Sequence, residues 1–242
     1  RSSGRETIGR VAAGAVAVKL LRQLGIELYA YASAIGGIAM DRDSFNLEER
    51  DNNPFAMPDA GAALRIKKYA DRKLEECNSM GGIIECVVKN MPAGIGEPVF
   101  DKLDANLAKA IMSIGAVKGV EIGDGFAAAD STGLENNDAF RMKDGHIVKQ
   151  TNHAGGILGG MSDGSDIILR AAVKPTPSIA ATQHTVNKAG EEIDISIHGR
   201  HDPMIVPRAV VVVEAMTAIT LVDMLFMGMT SRLDRIADFY KR

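Results

Sequence analysis

Thr182-Gln-His-Thr-Val-Asn-Lys-Ala-Gly-Glu-Glu-Ile-Asp-Ile-Ser-Ile-His198 holds two short runs rich in Val, Ile and Thr, separated by Lys-Ala-Gly-Glu. Residues 182–187 and 193–198 read as two strands, since β-branched residues suit extended backbone and a Gly-bearing turn reverses the chain within hairpin reach. Two further strand patterns, at 146–151 and 166–174, precede them with turn residues between. Short strands without intervening helices pair antiparallel, so an antiparallel sheet is expected from the last hundred residues. Upstream, helix and strand patterns mix without strict alternation. Residues 8–24, 59–78 and 101–113 read as helices, and 26–32, 83–89 and 117–122 as strands, with a polar excursion at 41–58. A long apolar helix over 207–227 and an exposed helical tail over 231–240 follow. The fold class is α+β, with helices packed on antiparallel sheets.

Composition narrows the function. Apolar residues make up 46% and charged residues 24% of 242, values of a globular chain rather than a disordered one. Lys plus Arg is 28 against 31 Asp plus Glu, so a net charge of −3 offers no basic field for nucleic acid, and any anion site is local. Aromatic content of 5% without Trp weighs against base stacking. Cys77 and Cys86 lack Cys-x-x-Cys spacing and read as reduced core thiols. The five histidines show no ligand spacing, so no metal site is expected. Neither a P-loop nor a Gly-x-Ser-x-Gly elbow occurs. The longest apolar run, 209–229, contains Glu214 and Asp223, which argues against a membrane span. Arg1 opens the chain without Met or signal-peptide pattern, and reads as a cut end. One domain over 1–242 is expected, with a candidate boundary near residue 140.

Four segments carry polar residues that core and surface do not require. Arg1-Ser-Ser-Gly-Arg5 heads the helix at 8–24, where free N–H groups, the helix dipole and two guanidiniums could hold a phosphate or carboxylate. Simple capping is equally open, because Ser3 and Glu6 have capping-box spacing. The small residues of that helix suit burial between layers. Thr151-Asn-His-Ala-Gly-Gly-Ile-Leu-Gly-Gly160 packs four glycines into six positions, which fits a ligand-cradling loop and a backbone crossing alike. Lys174-Pro-Thr-Pro-Ser178 offers an ammonium and two hydroxyls on a backbone stiffened by two prolines, or a plain turn. Gly199-Arg-His-Asp-Pro203 could supply an anion clamp and a proton acceptor, or a turn opening at Asp202.

Taken together, Arg-Ser-Ser-x-Arg-Glu-Thr at residue 1, Ile-Gly-Ala-Val-Lys-Gly-Val-Glu-Ile-Gly-Asp-Gly-Phe ending at 126, Asn-His-Ala-Gly-Gly-Ile-Leu-Gly-Gly-Met ending at 161, Lys-Pro-Thr-Pro-Ser and Gly-Arg-His-Asp-Pro resemble the chorismate synthase family, in the family's order. The resemblance runs to about residue 228. It implies a β-α-β sandwich with helices packed between antiparallel sheets, and a cytoplasmic homotetramer. It implies 1,4-anti-elimination of phosphate from 5-enolpyruvylshikimate 3-phosphate to give chorismate, in the shikimate pathway of aromatic amino acid biosynthesis. Reduced FMN is required without net redox change, and NADP is associated with its reduction in part of the family. Carried over by position, flavin contacts fall on Arg1, Ser2, Ser3, Gly115, Ala116, Gly159, Lys174, Pro175, Thr176, Pro177, Ser178 and Arg200. Ser3, Arg5 and Arg200 match substrate-binding positions. Asp202 matches the aspartate that in the family accepts a proton from N5 of the reduced flavin, which would then take the C6 hydrogen of the substrate, with Arg200 beside it in the catalytic motif.

The family's two further histidines lie upstream of the Arg-Ser-Ser motif, and no histidine here occupies their positions. The N-terminal third of the family length is therefore expected to be missing, with a sheet edge and apolar patches left exposed. Two classes of function compete: the lyase itself, and a catalytically incompetent module that only binds flavin or oligomerises. A flavin oxidoreductase is disfavoured, because the chain has no nicotinamide motif and no redox cysteine pair. No membrane or nucleic-acid partner is expected.

Overall fold

A computed structural model describes residues 4–197, 199 and 202–241. Helix α1 (Thr7–Gln23) leads into strand β1 (Glu27–Ile35), which reverses into β2 (Ile38–Ala39). A short helix α2 (Glu49–Asn52) sits in the polar excursion before α3 (Ala60–Glu75) and β3 (Gly82–Lys89). Then come α4 (Leu103–Met112), β4 (Val117–Ile122) and α5 (Gly133–Asn136). The hairpins β5 (Phe140–Lys143) with β6 (His146–Lys149), and β7 (Ile157–Leu158) with β8 (Met161–Ser162), precede β9 (Ile167–Val173). A third hairpin, β10 (Gln183–Val186) with β11 (Glu192–Ile195), is followed by α6 (Val206–Met229) and α7 (Leu233–Tyr240).

The α+β class holds, and the β1–β2, β5–β6, β7–β8 and β10–β11 pairs are all antiparallel. The expected single sheet from the last hundred residues does not form. β9 joins a five-stranded sheet in the order β2-β1-β3-β9-β4, while each of the three hairpins stands as its own two-stranded sheet. The reason lies in the side-chain pattern. β9 buries alternate residues Ile167, Leu169, Ala171 and Val173, whereas β10 and β11 present no buried residue to a common core. Strand β5 was not expected. Its signal is the Asp144-Gly145 turn, where both residues take positive φ (50° and 78°), the conformation a two-residue hairpin turn requires.

The chain divides into two compact units, the first comprising the residues up to Ala30, Glu85–Ala171 and Val211 onward, the second Tyr31–Ile84 and Ala172–Val210. No division falls at residue 140. In the first unit, α4 buries Leu103, Leu107 and Ile111 at helical spacing, and α6 buries Val212, Val213, Ala218 and Leu221. In the second unit, α3 starts at Asp59, which caps it by accepting from Ala62 N at 3.0 Å, and buries Ala62, Ala63, Ile66 and Ala70.

Helix α1 departs from the expected burial between layers. Only Gly14, Ala17 and Leu21 are buried, one stripe along the helix, while Ile8 and Val16 are 72% and 69% exposed. Gly14 is the close approach: a Cβ there would lie 2.3 Å from that of Ala215 on α6. The helix ends as expected at Gly25, with Ile26 N bonded to Leu21 O and Gly25 N to Arg22 O. At its start Glu6 stands at the N-cap position without a side-chain cap bond, its carboxylate pairing with Arg10 at 3.0 Å, while Ser3, the expected cap, lies outside the described residues. Helix α6 is long and apolar enough to cross a membrane, yet half of that stretch is buried within the protein. Its Glu214 accepts the Ala30 N–H at 3.0 Å, the placing of a core helix. Cys86 is buried as expected, but Cys77 is exposed. It follows Glu76, the C-cap of α3, at φ 52°, where the chain leaves the helix.

Candidate active site

Loop 151–160 packs across the end of β4 in the first unit. Asp124 N donates to His153 O at 2.9 Å, and His153 Nδ1 lies 2.6 Å from Asp124 Oδ2. The two backbones touch at glycine: a Cβ on Gly155 would lie 2.3 Å from Gly123 N, and one on Gly156 2.5 Å from Asp166 O. A Cβ on Gly160 would lie 2.5 Å from the Lys102 side chain. Three of the four loop glycines are thus demanded by packing inside the protein. Gly159 is different: it sits at φ 59° in the β7–β8 turn, exposed, with nothing within 4 Å of a Cβ. The two readings of the loop therefore divide by residue, and Gly159 alone has an open face.

Asp138, just before β5, organises the same loop. Its carboxylate accepts from Thr151 Oγ1 at 2.8 Å, His153 N at 2.7 Å and Ala154 N at 3.0 Å. Lys149 Nζ stands 3.4 Å from it and 2.5 Å from Asp163 Oδ2. Burial pushes the Asp138 carboxyl up, but the Ala154 and His153 N–H groups, the Thr151 hydroxyl and the Lys149 charge outweigh it and hold it at about 2. None of these three charged residues was singled out in the sequence, where Asp138 looks like one more polar loop residue.

Gly115 and Ala116 form the turn between α4 and β4. Ala116 takes φ 72°, and a Cβ on Gly115 would meet nothing within 4 Å. Arg10 on α1 donates to Ser113 Oγ at 2.7 Å and Ser113 O at 3.3 Å. The head of α1, where Arg5 is exposed, and the Gly115–Ala116 turn are thereby brought together. Arg10 escaped the sequence reading; its partner Ser113 lies 103 positions away.

Residues 79–81 act as a clasp in the second unit. Ser79 Oγ donates to Thr176 O at 2.6 Å, Met80 N to Pro203 O at 2.8 Å, and a Cβ on Gly81 would lie 2.3 Å from Val173 O. The clasp draws the Lys174–Ser178 run and Asp202 to one place. Lys174, Pro175 and Pro177 are exposed, while Thr176 and Ser178 are half-buried. Asp202 is half-buried and meets Arg208 in a two-pronged pair, at 2.7 Å from Nη1 and 3.1 Å from Nη2. Cys77, Asn78, Ala180, Asp202 and Pro203 help line a cavity of about 120 Å³. Arg1, Ser2, Ser3 and Arg200 lie outside the described residues. Among the described residues no three His, Cys, Asp or Glu side chains group to hold a metal ion.

The sequence model of chorismate synthase matches residues 1–226. Chorismate synthase of Lachnospira eligens is 66% identical over 242 residues, all of this chain and 66% of the relative. That of Agathobacter rectalis is 64% identical over the same 242 residues, again 66% of its length. The chain thus spans 66% of the length of these relatives. A crystal structure of chorismate synthase superposes with a TM-score of 0.78 at 30% identity, covering 100% of this chain and 68% of that one. Agreement of sequence over the whole chain, and of fold with a solved member, goes past a shared architecture: the chain belongs to the chorismate synthase family.

Proposed function

We propose that residues 1–242 form one chorismate synthase domain, which eliminates phosphate from 5-enolpyruvylshikimate 3-phosphate to give chorismate. The observation that carries this reading is the clasp of the second unit, which gathers the Lys174–Ser178 run and Asp202. Its support is the 66% identity with a chorismate synthase over all 242 residues.

The residues fit reduced FMN on one physical point. Within a glycine-rich loop otherwise packed solid, Gly159 keeps an open face, and Gly115 keeps another. Gly115, Ala116 and Gly159 are the proposed flavin contacts of the first unit, with Arg1, Ser2 and Ser3. Lys174, Pro175, Thr176, Pro177, Ser178 and Arg200 are those of the second. Reduced FMN, when bound, supplies electron density to the elimination without net redox change.

Ser3, Arg5 and Arg200 hold the anionic groups of the substrate, where guanidiniums offset the charge that grows on the departing phosphate. Asp202 is the final acceptor of the proton lost from the ring carbon. The electron pair of that C–H bond becomes ring double bond, and phosphate leaves with its C–O pair, so the step balances without an oxidant. The enzyme works as a cytoplasmic homotetramer, with the small-molecule substrate as its partner and neither nucleic acid nor membrane involved; NADP enters only through reduction of the flavin.

An anaerobic assay of the 242-residue chain with reduced FMN and 5-enolpyruvylshikimate 3-phosphate tests this, with flavin binding followed by fluorescence. Chorismate formation supports the reading. Flavin binding without product makes the chain a flavin-binding or oligomerisation module instead.

A further inference from the structure

From Asp138 to Asp166 the only buried apolar side chain is that of Ile157. A hydrophobic core therefore does not set the course of this stretch, although it carries Gly159. What is buried is charge: Asp138, Lys149 and Asp163 have side chains only 5%, 4% and 10% exposed. The three touch both ends of the β7–β8 hairpin. On the entry side, Asp138 holds the Thr151 hydroxyl and the His153 and Ala154 amides. On the exit side, Asp163 follows β8 directly, donates its amide to Gly156 O at 3.0 Å, and takes the Ser165 amide at 2.8 Å. Lys149, at the end of β6, joins the two carboxylates.

We infer that Asp138, with Lys149 and Asp163, is the positioning cluster that fixes the β7–β8 hairpin and so presents Gly159 to the flavin. The inference rests on the proposed reading of Gly159 as a flavin contact. Buried ion pairs stabilise little compared with apolar side chains of the same shape, so the role inferred for this one is to specify one arrangement of the hairpin. A hairpin whose strands are two residues long has a ladder of only two pairs, too short to hold it alone. The cluster holds the hairpin from both flanks; Leu103 N adds to this by donating to Gly160 O at 2.8 Å, and Ser162 by bonding through its backbone to Gly94 and Ile95 and through its hydroxyl to Ile95 N and Pro92 O.

The test is hydrogen exchange and FMN titration on the full 242-residue chain carrying Asp138→Asn, Lys149→Met or Thr151→Val. The last removes one donor to Asp138 at constant shape, and serves where the charged variants fail to fold. Amides of residues 153–162 are expected to lose protection together, while those of α4 and β9 keep it. FMN Kd is expected to rise about tenfold or more, since a shift of about 1 Å in a positioned group acts on that scale. A purely structural cluster would lower the folded fraction and leave Kd of the folded protein unchanged.

Unchanged protection of residues 157–162 in Asp138→Asn overturns the inference whether or not FMN binds. So does lost protection with wild-type FMN affinity. Gly159→Val separates the two readings: if it leaves FMN affinity unchanged, or if the wild-type chain does not bind FMN, the flavin contact at Gly159 fails and the cluster has no flavin to serve.

Discussion

At the residue scale, two titratable groups behave in ways their neighbours dictate. Asp138 has its carboxyl held at about 2, below the ordinary 3.8. Its folded form prefers the charged state, so its contribution to stability is complete above the unfolded value and is lost as pH falls from near 4 through about 2. Denaturant melts between pH 5 and 2 should lose stability more steeply for the wild-type chain than for Asp138→Asn; parallel profiles would remove this residue from the acid response. Cys86 goes the other way. Burial pushes its thiol up to about 12, the Glu214 and Glu85 charges adding to it against the Thr217 hydroxyl. Cys86 is thus neutral and shielded, and Cys77 is exposed. A thiol reagent should modify Cys77 in the native chain and reach Cys86 only after unfolding. Two fast thiols in the native state would contradict the burial.

Elements meet through glycine in ways that predict opposite signs for similar substitutions. Gly9 and Gly14 both lie in α1. A Cβ at Gly9 meets nothing within 4 Å, whereas one at Gly14 would fall 2.3 Å from the Ala215 Cβ on α6. Gly9→Ala is expected to stabilise by about 1 kcal/mol through helix propensity. Gly14→Ala is expected to destabilise by about 1–3 kcal/mol, because the two helices must move apart. Chemical denaturation of both variants checks the pair, and equal effects would refute the crossing. This contrast was invisible in the sequence, where both residues sit among Ala and Val. The ends of α1 were legible to different degrees for the same reason. Gly25 announces a helix end through its own backbone, while at the other end the Glu6 carboxylate makes no cap bond and pairs with Arg10 instead.

For the whole molecule, the prediction concerns the proposed lyase. Asp202→Asn should keep FMN and substrate binding and slow the elimination by about 10²–10⁴-fold, the usual cost of a positioned base. Single-turnover rates decide it, and an unchanged rate would take Asp202 out of the chemistry. Arg200→Ala should weaken substrate affinity instead, as a binding titration would show.

The sequence by itself determined the α+β class, most elements within a few residues, and the family, because hydrophobic period, turn chemistry and motif order are local properties of the chain. Tertiary structure decided which glycines serve packing and which has an open face, that Ser79 and Met80 gather the third and fourth motifs, that Asp138, Lys149 and Asp163 share one buried cluster, and that Cys77 faces outward. Each of these is a meeting of segments far apart in the chain, or an exposure set by what packs nearby, and no local pattern encodes the distance between two residues that only folding brings together.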